Sequence, residues 1–254
     1  MAQYETVRRA GAGARTAQID EGLRAHMSRV YGLMSFGMAV TGLIAYFIGA
    51  DLNAYRNGGA TTFLSPSMIE TMYGGPVRWV IMLAPLAIVF MFGAAINKLS
   101  ENAARGIFIL FAGLMGLSLA SIFAIYTGVS IAQTFFVTAI AFLSLSLWGY
   151  TTKKDISGWG SFLIMGVIGL IVAMVVNWFL QSEAIMFAIS ALGVLIFAGL
   201  TAYDTQNIKN TYIAMASNGQ SEWLGKAAIM GALSLYINFL NMFQFLLMFM
   251  GNQE

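Results

Sequence analysis

The stretch AAIMGALSLYINFLNMFQFLLMFM, residues 227–250, indicates the fold class, because it is long, apolar and free of charged side chains. A bilayer core about 30 Å thick needs roughly 20 apolar residues in an α-helix to cross it. Backbone groups in lipid find hydrogen-bond partners only within helices or closed β-barrels. The stretch therefore predicts a transmembrane helix.

Six further apolar runs have a similar length, and none shows the alternation of a transmembrane β-strand. They are residues 30–50, 79–96, 106–126, 129–150, 159–180 and 184–203. The whole chain is 59% hydrophobic and only 9% charged, far from the composition of a soluble domain. We predict an all-α integral membrane protein with a polar tail, residues 1–28, and a seven-helix transmembrane domain, residues 29–251.

The positive charges predict the orientation of the seven helices. Eleven of the 13 lysines and arginines fall on one side of this map, and only Arg56 and Arg78 fall on the other. Cytoplasmic loops are enriched in Lys and Arg. The N-terminus is therefore predicted to be cytoplasmic, and all five tryptophans lie at or near predicted helix ends, where an indole ring favours the membrane interface.

The composition excludes several kinds of site. The chain has no cysteine, so disulfides, thiol nucleophiles and cysteine-bound metals are excluded. Its single histidine, His26, falls in the predicted tail, which argues against Ser-His-Asp catalysis and histidine-bound metals. We expect no enzyme activity, no resident cofactor and no nucleic-acid partner; the oligomeric state is left open.

The last helix carries one polar face. Ser234, Asn238, Asn241 and Gln244 are spaced 4, 3 and 3 residues apart, which places them within an arc of about 120°. Amides are costly in lipid, so this face is expected to contact protein or water. Two interpretations stay open: hydrogen bonds between helices, or the lining of a cavity.

The sixth run ends in Thr201, Ala202, Tyr203 and Asp204, and Asp204 is the best candidate for an acid inside the protein. It lies 21 residues after Glu183, which is about 31 Å along a helix. That length predicts a position near the cytoplasmic face. The carboxylate is either a solvated interfacial group or an acid lining a cytoplasmic cavity, where it could titrate or bind a cation.

Four segments together resemble the Bax inhibitor family, particularly its bacterial YccA-like and YbhL-like members. They are GLTAYDTQ at 199–206, GALSLYINFLN at 231–241, SIFAIYT at 121–127 and GYTTKKD at 149–155. The resemblance implies six helices around a central seventh, in the bacterial inner membrane. It also implies a pH-sensitive calcium leak closed by two aspartates, the first of which matches Asp204.

The second aspartate is replaced in this chain. Many members have Leu-Tyr-Leu-Asp where this sequence has Leu235-Tyr236-Ile237-Asn238. An amide cannot share a titrating proton with Asp204, so we expect weaker proton gating or a shifted pH range. Counting from Lys226 also places Asn238 deeper than Asp204, so their contact is expected from the resemblance alone.

Three functions follow from these features. The first is a passive cation pathway, with calcium as the transported or bound ion and Asp204 as a possible calcium ligand. Its candidate pathway and gate residues are Asp204, Asn238, Asn241, Ser234, Gln244, Thr201 and Tyr203. The second is a non-transporting regulator that binds a membrane protease or a stress-response partner. The third, an intramembrane aspartyl protease, lacks the second carboxylate that its chemistry needs.

Overall fold

The computed structural model describes the backbone of residues 2–218 and 223–252, and the side chains of these ranges from residue 19 onward. Within them the chain forms eight α-helices, seven of which are long and apolar enough to cross a membrane. The helices are α1 (Ala2–Arg56), α2 (Pro66–Ile69), α3 (Val77–Ala95), α4 (Glu101–Leu119), α5 (Gly128–Thr151), α6 (Trp159–Leu180), α7 (Glu183–Ser217) and α8 (Leu224–Met250). The predicted all-α membrane fold is confirmed.

Helix α8 lies at the centre of the bundle. It is the most buried of the seven spans and packs directly against α7, α1, α5 and α4. Helices α3 and α6 lie further out, where they pack on α4 and α7. Tyr236, near the middle of α8, is fully buried and places its ring edge-on against Phe108 and Phe111 of α4.

Small residues let α1 and α4 approach closely. A Cβ added at Gly116 would lie 2.9 Å from the backbone oxygen of Thr41 and 2.8 Å from Cβ of Ile44. The Thr41 hydroxyl donates to the Ala112 carbonyl at 2.8 Å, which fixes the register of the two helices. It is also 2.5 Å from the Tyr236 hydroxyl, so one threonine links α1, α4 and α8.

Two helices are longer than the sequence predicts. Helix α1 starts at Ala2 and runs without a break through the proposed boundary at residue 28. Leu23, His26 and Met27 are buried against the bundle, so the packed part of the chain begins before Ser28. The division into tail and transmembrane domain stays a prediction, but His26 does not lie in a free tail.

Helix α7 extends well past the predicted end of its span at Tyr203. It continues to Ser217, because Thr205, Gln206, Ile208 and Tyr212 are all buried against neighbouring elements. Gln206 accepts a hydrogen bond from the Ile156 backbone and donates to the Lys154 carbonyl. The polar segment after Asp204 is therefore held as a helix by the α5–α6 connection.

Candidate ion pathway

The α7–α8 hairpin brings Asp204 and Asn238 to the same depth. Asp204 lies 13 residues before Ser217 at the end of α7, and Asn238 lies 14 residues after Leu224 at the start of α8. These spacings correspond to about 20 and 21 Å along two antiparallel helices. The prediction that Asn238 lies deeper in the membrane than Asp204 was wrong, because it took Tyr203 as the end of the sixth span.

The two side chains are in direct contact. The Asn238 amide nitrogen donates to a carboxylate oxygen of Asp204 at 2.7 Å. An ionised carboxylate only accepts hydrogen bonds, so the amide must present its NH₂ group to it. Asn238 is only 4% exposed, and Asp204 is half-buried. The pair therefore lies inside the bundle, with the carboxylate on its wetter side.

Asp204 borders a cavity of about 230 Å³ between α1, α7 and α8. The cavity leads from the Asp204 level toward the hairpin end of α7 and α8, which is the side predicted to be cytoplasmic. Its lining includes the predicted residues Asp204 and Ser234, together with residues that the sequence did not single out. These are His26, Asn207, Ile208, Thr211, Met215, Trp223, Ala227, Met230 and Gly231.

His26 is the functional candidate that sequence reasoning missed most clearly. The residue is 7% exposed, and its ring lies 4.9 Å, centroid to centroid, from the ring of Tyr212 on α7. The sequence holds a faint signal for this position, since Leu23, Met27 and Val30 form an apolar stripe with helical spacing around His26. That stripe indicates a packed helix face before residue 28.

The other predicted residues do not reach the cavity. Asn241 and Gln244 donate to the carbonyls of Ile237 and Leu240 in their own helix, at 2.9 and 3.3 Å. Thr201 is fully buried and donates to the Phe197 carbonyl. Only Asn238, and Ser234 one turn before it, turn toward the Asp204 side.

Tyr203 points in a different direction from Asp204. A Cβ added at Gly160 of α6 would lie 2.6 Å from the Tyr203 ring, so this ring packs closely on α6. Tyr203 therefore supports the α6–α7 contact, whereas the next residue along the chain faces α8. The structure brings Asp204, Asn238 and Ser234 together and leaves the other four predicted residues apart.

A chain of hydroxyl groups positions α7 from the opposite side. Thr205, next to Asp204 in sequence, is 2.9 Å from the Ser146 hydroxyl, which is 2.5 Å from the Tyr31 hydroxyl. This chain connects α7 to α5 and α5 to α1. Gly149 lets α5 approach closely enough, since a Cβ there would lie 3.0 Å from the Ala202 carbonyl carbon.

On the far side of Asn238, α8 is packed against its neighbours. Met242 is fully buried, and Phe239 and Leu240 are 5% and 4% exposed. The lining of the cavity reaches Asp204 and Ser234, so the Asp204–Asn238 hydrogen bond lies at its inner end. Among the residues described with their side chains, no cluster of three His, Cys, Asp or Glu could hold a metal ion.

Comparison with known proteins agrees with the geometry. A family model described as "Inhibitor of apoptosis-promoting Bax1" matches residues 23–254. A Caulobacter vibrioides protein is 46% identical over 241 residues, covering 93% of this chain and 92% of its own length. Inner membrane protein YbhL of Escherichia coli K12 is 41% identical over 234 residues, covering 92% and 94%. A match over nearly the whole chain, on a fold of seven membrane-crossing helices, shows that this multi-pass membrane protein belongs to the Bax inhibitor-1 family.

Proposed function

We propose that the protein is a passive cation leak, permeable to calcium, which is held closed by the hydrogen bond between Asp204 and Asn238. Its place is the bacterial inner membrane, the location that the name of the similar Escherichia coli protein gives. The observation that carries the proposal is a cavity lined in part by polar side chains, whose acid Asp204 makes an acid–amide contact within a central helix pair.

The chemistry of the cavity suits a passing cation better than a resident one. Calcium takes 6–8 oxygen ligands when it is tightly bound. The cavity offers the Asp204 carboxylate, with the Ser234 and Thr211 hydroxyls and the Asn207 amide further along its wall. One carboxylate and a few neutral oxygens attract a hydrated cation without stripping its water, so the ion can leave again.

Opening requires that Asp204 and Asn238 separate. A hydrogen bond to a charged group contributes about 1.5–3 kcal/mol, and one between neutral groups about 0.5–1.5 kcal/mol. Protonation of Asp204 therefore weakens this contact by about 1 kcal/mol, roughly a fivefold change in the open population. The same protonation removes the charge that attracts the cation, so the two effects on flux oppose each other and the pH response is shallow.

Reconstitution in liposomes tests the proposal. Calcium flux through the wild-type protein is compared with flux through Asp204→Asn, with Asp155→Asn as the matched control, an exposed acid outside the helices. We expect Asp204→Asn to abolish the pH dependence of the flux, because the titrating group is gone, and the control to behave as the wild type. Wild-type flux no greater than that of empty vesicles, at every pH from about 5 to 8, ends the proposal.

A second candidate is a regulator that binds a membrane protease or a stress-response partner. The observation that favours it is the continuation of α1 as a helix from Ala2 to the packed residues around Leu23. Affinity capture from native membranes, with the full chain and with a chain that starts at Ile19, tests this candidate. If the full-length protein and the protein that starts at Ile19 retain a partner equally, the segment before Ile19 does not bind that partner. In either case we propose that the protein is not an enzyme, since a protease of this type needs two carboxylates and Asp204 has an amide as its partner.

A further inference from the structure

Helices α1 and α5 border two cavities that follow each other along the membrane normal. The upper one, about 390 Å³, lies between the second half of α1 and the first half of α5, with Phe239, Leu240 and Phe243 of α8 also in its lining. The lower one, about 310 Å³, lies between the first half of α1 and the end of α5. The two cavities thus separate α1 from α5 on the side of the bundle that faces the lipid.

The lower cavity has the two parts that a phospholipid needs. Its lining residues are Arg24, Met27, Tyr31, Leu143, Ser146, Leu147 and Tyr150. Leu143 and Leu147 are 63% and 64% exposed, so they form an apolar wall that is open to the membrane. Arg24 stands at the end of the cavity that is predicted to meet the cytoplasmic headgroups.

A second positive charge lies beside the opposite wall. The Lys209 ammonium donates to the Tyr150 carbonyl at 2.8 Å and lies 5.5 Å from the centre of the Tyr150 ring. Neither Arg24 nor Lys209 forms an ion pair within the part of the chain whose side chains are described. The Arg24 guanidinium in the lining and the Lys209 ammonium behind the Tyr150 wall are thus two cations without an ion-pair partner that can attract a phosphate group.

A pair of hydroxyl groups lies in the lining of the cavity. The Tyr31 and Ser146 hydroxyls are 2.5 Å apart and bridge α1 to α5. Their bridge satisfies both groups and limits how far an acyl chain can enter between the helices. The upper cavity, in contrast, has no charged residue in its lining, and Thr41 is its main polar group.

We propose that the lower α1–α5 cavity is a binding site for an anionic phospholipid of the cytoplasmic leaflet. Its phosphate lies between Arg24 and Lys209, and an acyl chain lies along Met27, Leu143 and Leu147. The site is distinct from the Asp204 cavity, which lies on the α1–α7–α8 side, and the proposal does not depend on cation transport.

Native mass spectrometry of the purified full-length protein tests the site. Retained dioleoyl phosphatidylglycerol is compared with dioleoyl phosphatidylcholine at equal concentrations. We expect wild type to prefer phosphatidylglycerol, and Arg24→Gln and Lys209→Gln each to weaken its retention about fivefold. Lys153→Gln is the matched control, because Lys153 is an exposed cation at the same end of α5 and outside the cavity.

A second pair of variants tests the apolar wall without changing charge. Leu147→Trp should fill the groove and lower the retention of phosphatidylglycerol. Ile164→Trp should not, because Ile164 lies on α6, outside the cavity, and is 56% exposed. Equal retention of both lipids by wild type would mean that alkyl chains or detergent fill the groove without headgroup recognition, and it would overturn the proposal. Retention unchanged in all three cavity variants would also overturn it.

Discussion

If the proposed leak is gated at the Asp204–Asn238 contact, replacing Asn238 by aspartate should replace its shallow pH response with a steep rise of flux with pH. The Asn238 amide nitrogen is 2.7 Å from a carboxylate oxygen of Asp204, and in Asn238→Asp that position holds a second carboxylate oxygen. Two full charges at this distance repel by up to about 6 kcal/mol at an effective dielectric constant of 20. Rotation of the two side chains lowers this repulsion energy, but the interaction between the two charges stays repulsive.

One proton restores the contact in the Asn238→Asp variant. Two carboxylates that share a proton form a short hydrogen bond, and the pair then titrates as a unit. Acid therefore closes the variant and alkali opens it. In wild type, acid loosens the contact by only about 1 kcal/mol, since the amide still donates to a protonated Asp204.

Calcium flux in liposomes between about pH 5 and 8 distinguishes the two behaviours. We expect wild-type flux to vary less than about fivefold across this range, and flux through Asn238→Asp to rise at least tenfold with pH. Asn210→Asp, the same chemical change at an exposed position of α7, should follow the wild-type curve. Coincident curves for wild type and Asn238→Asp would refute a gate at this contact.

Two further predictions concern the packing of the bundle. Gly149→Ala should destabilise the protein by about 1–3 kcal/mol in thermal unfolding followed by circular dichroism, since its Cβ would meet the Ala202 backbone, whereas Gly169→Ala, with nothing within 4 Å, should not. Burial raises the pKa of Tyr73 to about 12, and its hydroxyl donates to the Leu117 carbonyl at 2.9 Å. Because the fold favours the neutral phenol, this anchor contributes fully below about pH 10 and is lost as the pH rises through 12. The difference between absorbance titrations of tyrosinate in wild type and Tyr73→Phe measures the pKa of Tyr73. Ionisation of Tyr73 near pH 10 would contradict the prediction that burial raises this pKa.

The seven spans could be predicted from the sequence because a bilayer imposes one strong length requirement. The predicted run 159–180 coincides with helix α6, Trp159–Leu180, whose two tryptophans lie at or near its ends. Hydropathy measures the cost of burying each residue in lipid, and that cost is large and local. It does not depend on which helices become neighbours.

The length of α7 could not be predicted in this way. After Tyr203 the chain carries Asp204, Gln206 and Lys209, and a fall in hydropathy marks both a loop and a helix that leaves the membrane. The helix persists because Gln206 and Lys209 bond to backbone groups at the end of α5 and in the α5–α6 connection. Such contacts between distant parts of the chain leave no periodic signal in the sequence.

The polar arc of α8 shows a related limit. A helical wheel gives the angle at which Asn238, Asn241 and Gln244 leave the helix axis, but not the partner that each amide takes. Asn241 and Gln244 bond to carbonyls of their own helix, a local alternative that is always within reach of such side chains. Asn238 differs only because α7 places a carboxylate opposite it.

The Asp204–Asn238 pair therefore carries at most one charge, where two aspartates would carry up to two. A pair of aspartates has a strongly repelling state and a proton-sharing state, so its contact energy changes sign with pH. An aspartate with an amide partner stays attractive in both protonation states, and only its strength changes. If the pair gates a leak, the leak in this protein must be opened mainly by something other than protons, such as the occupancy of the cavity by a cation that draws the carboxylate away from Asn238. Raising calcium should then increase the rate constant for its own flux, and a rate constant independent of calcium concentration would count against that route.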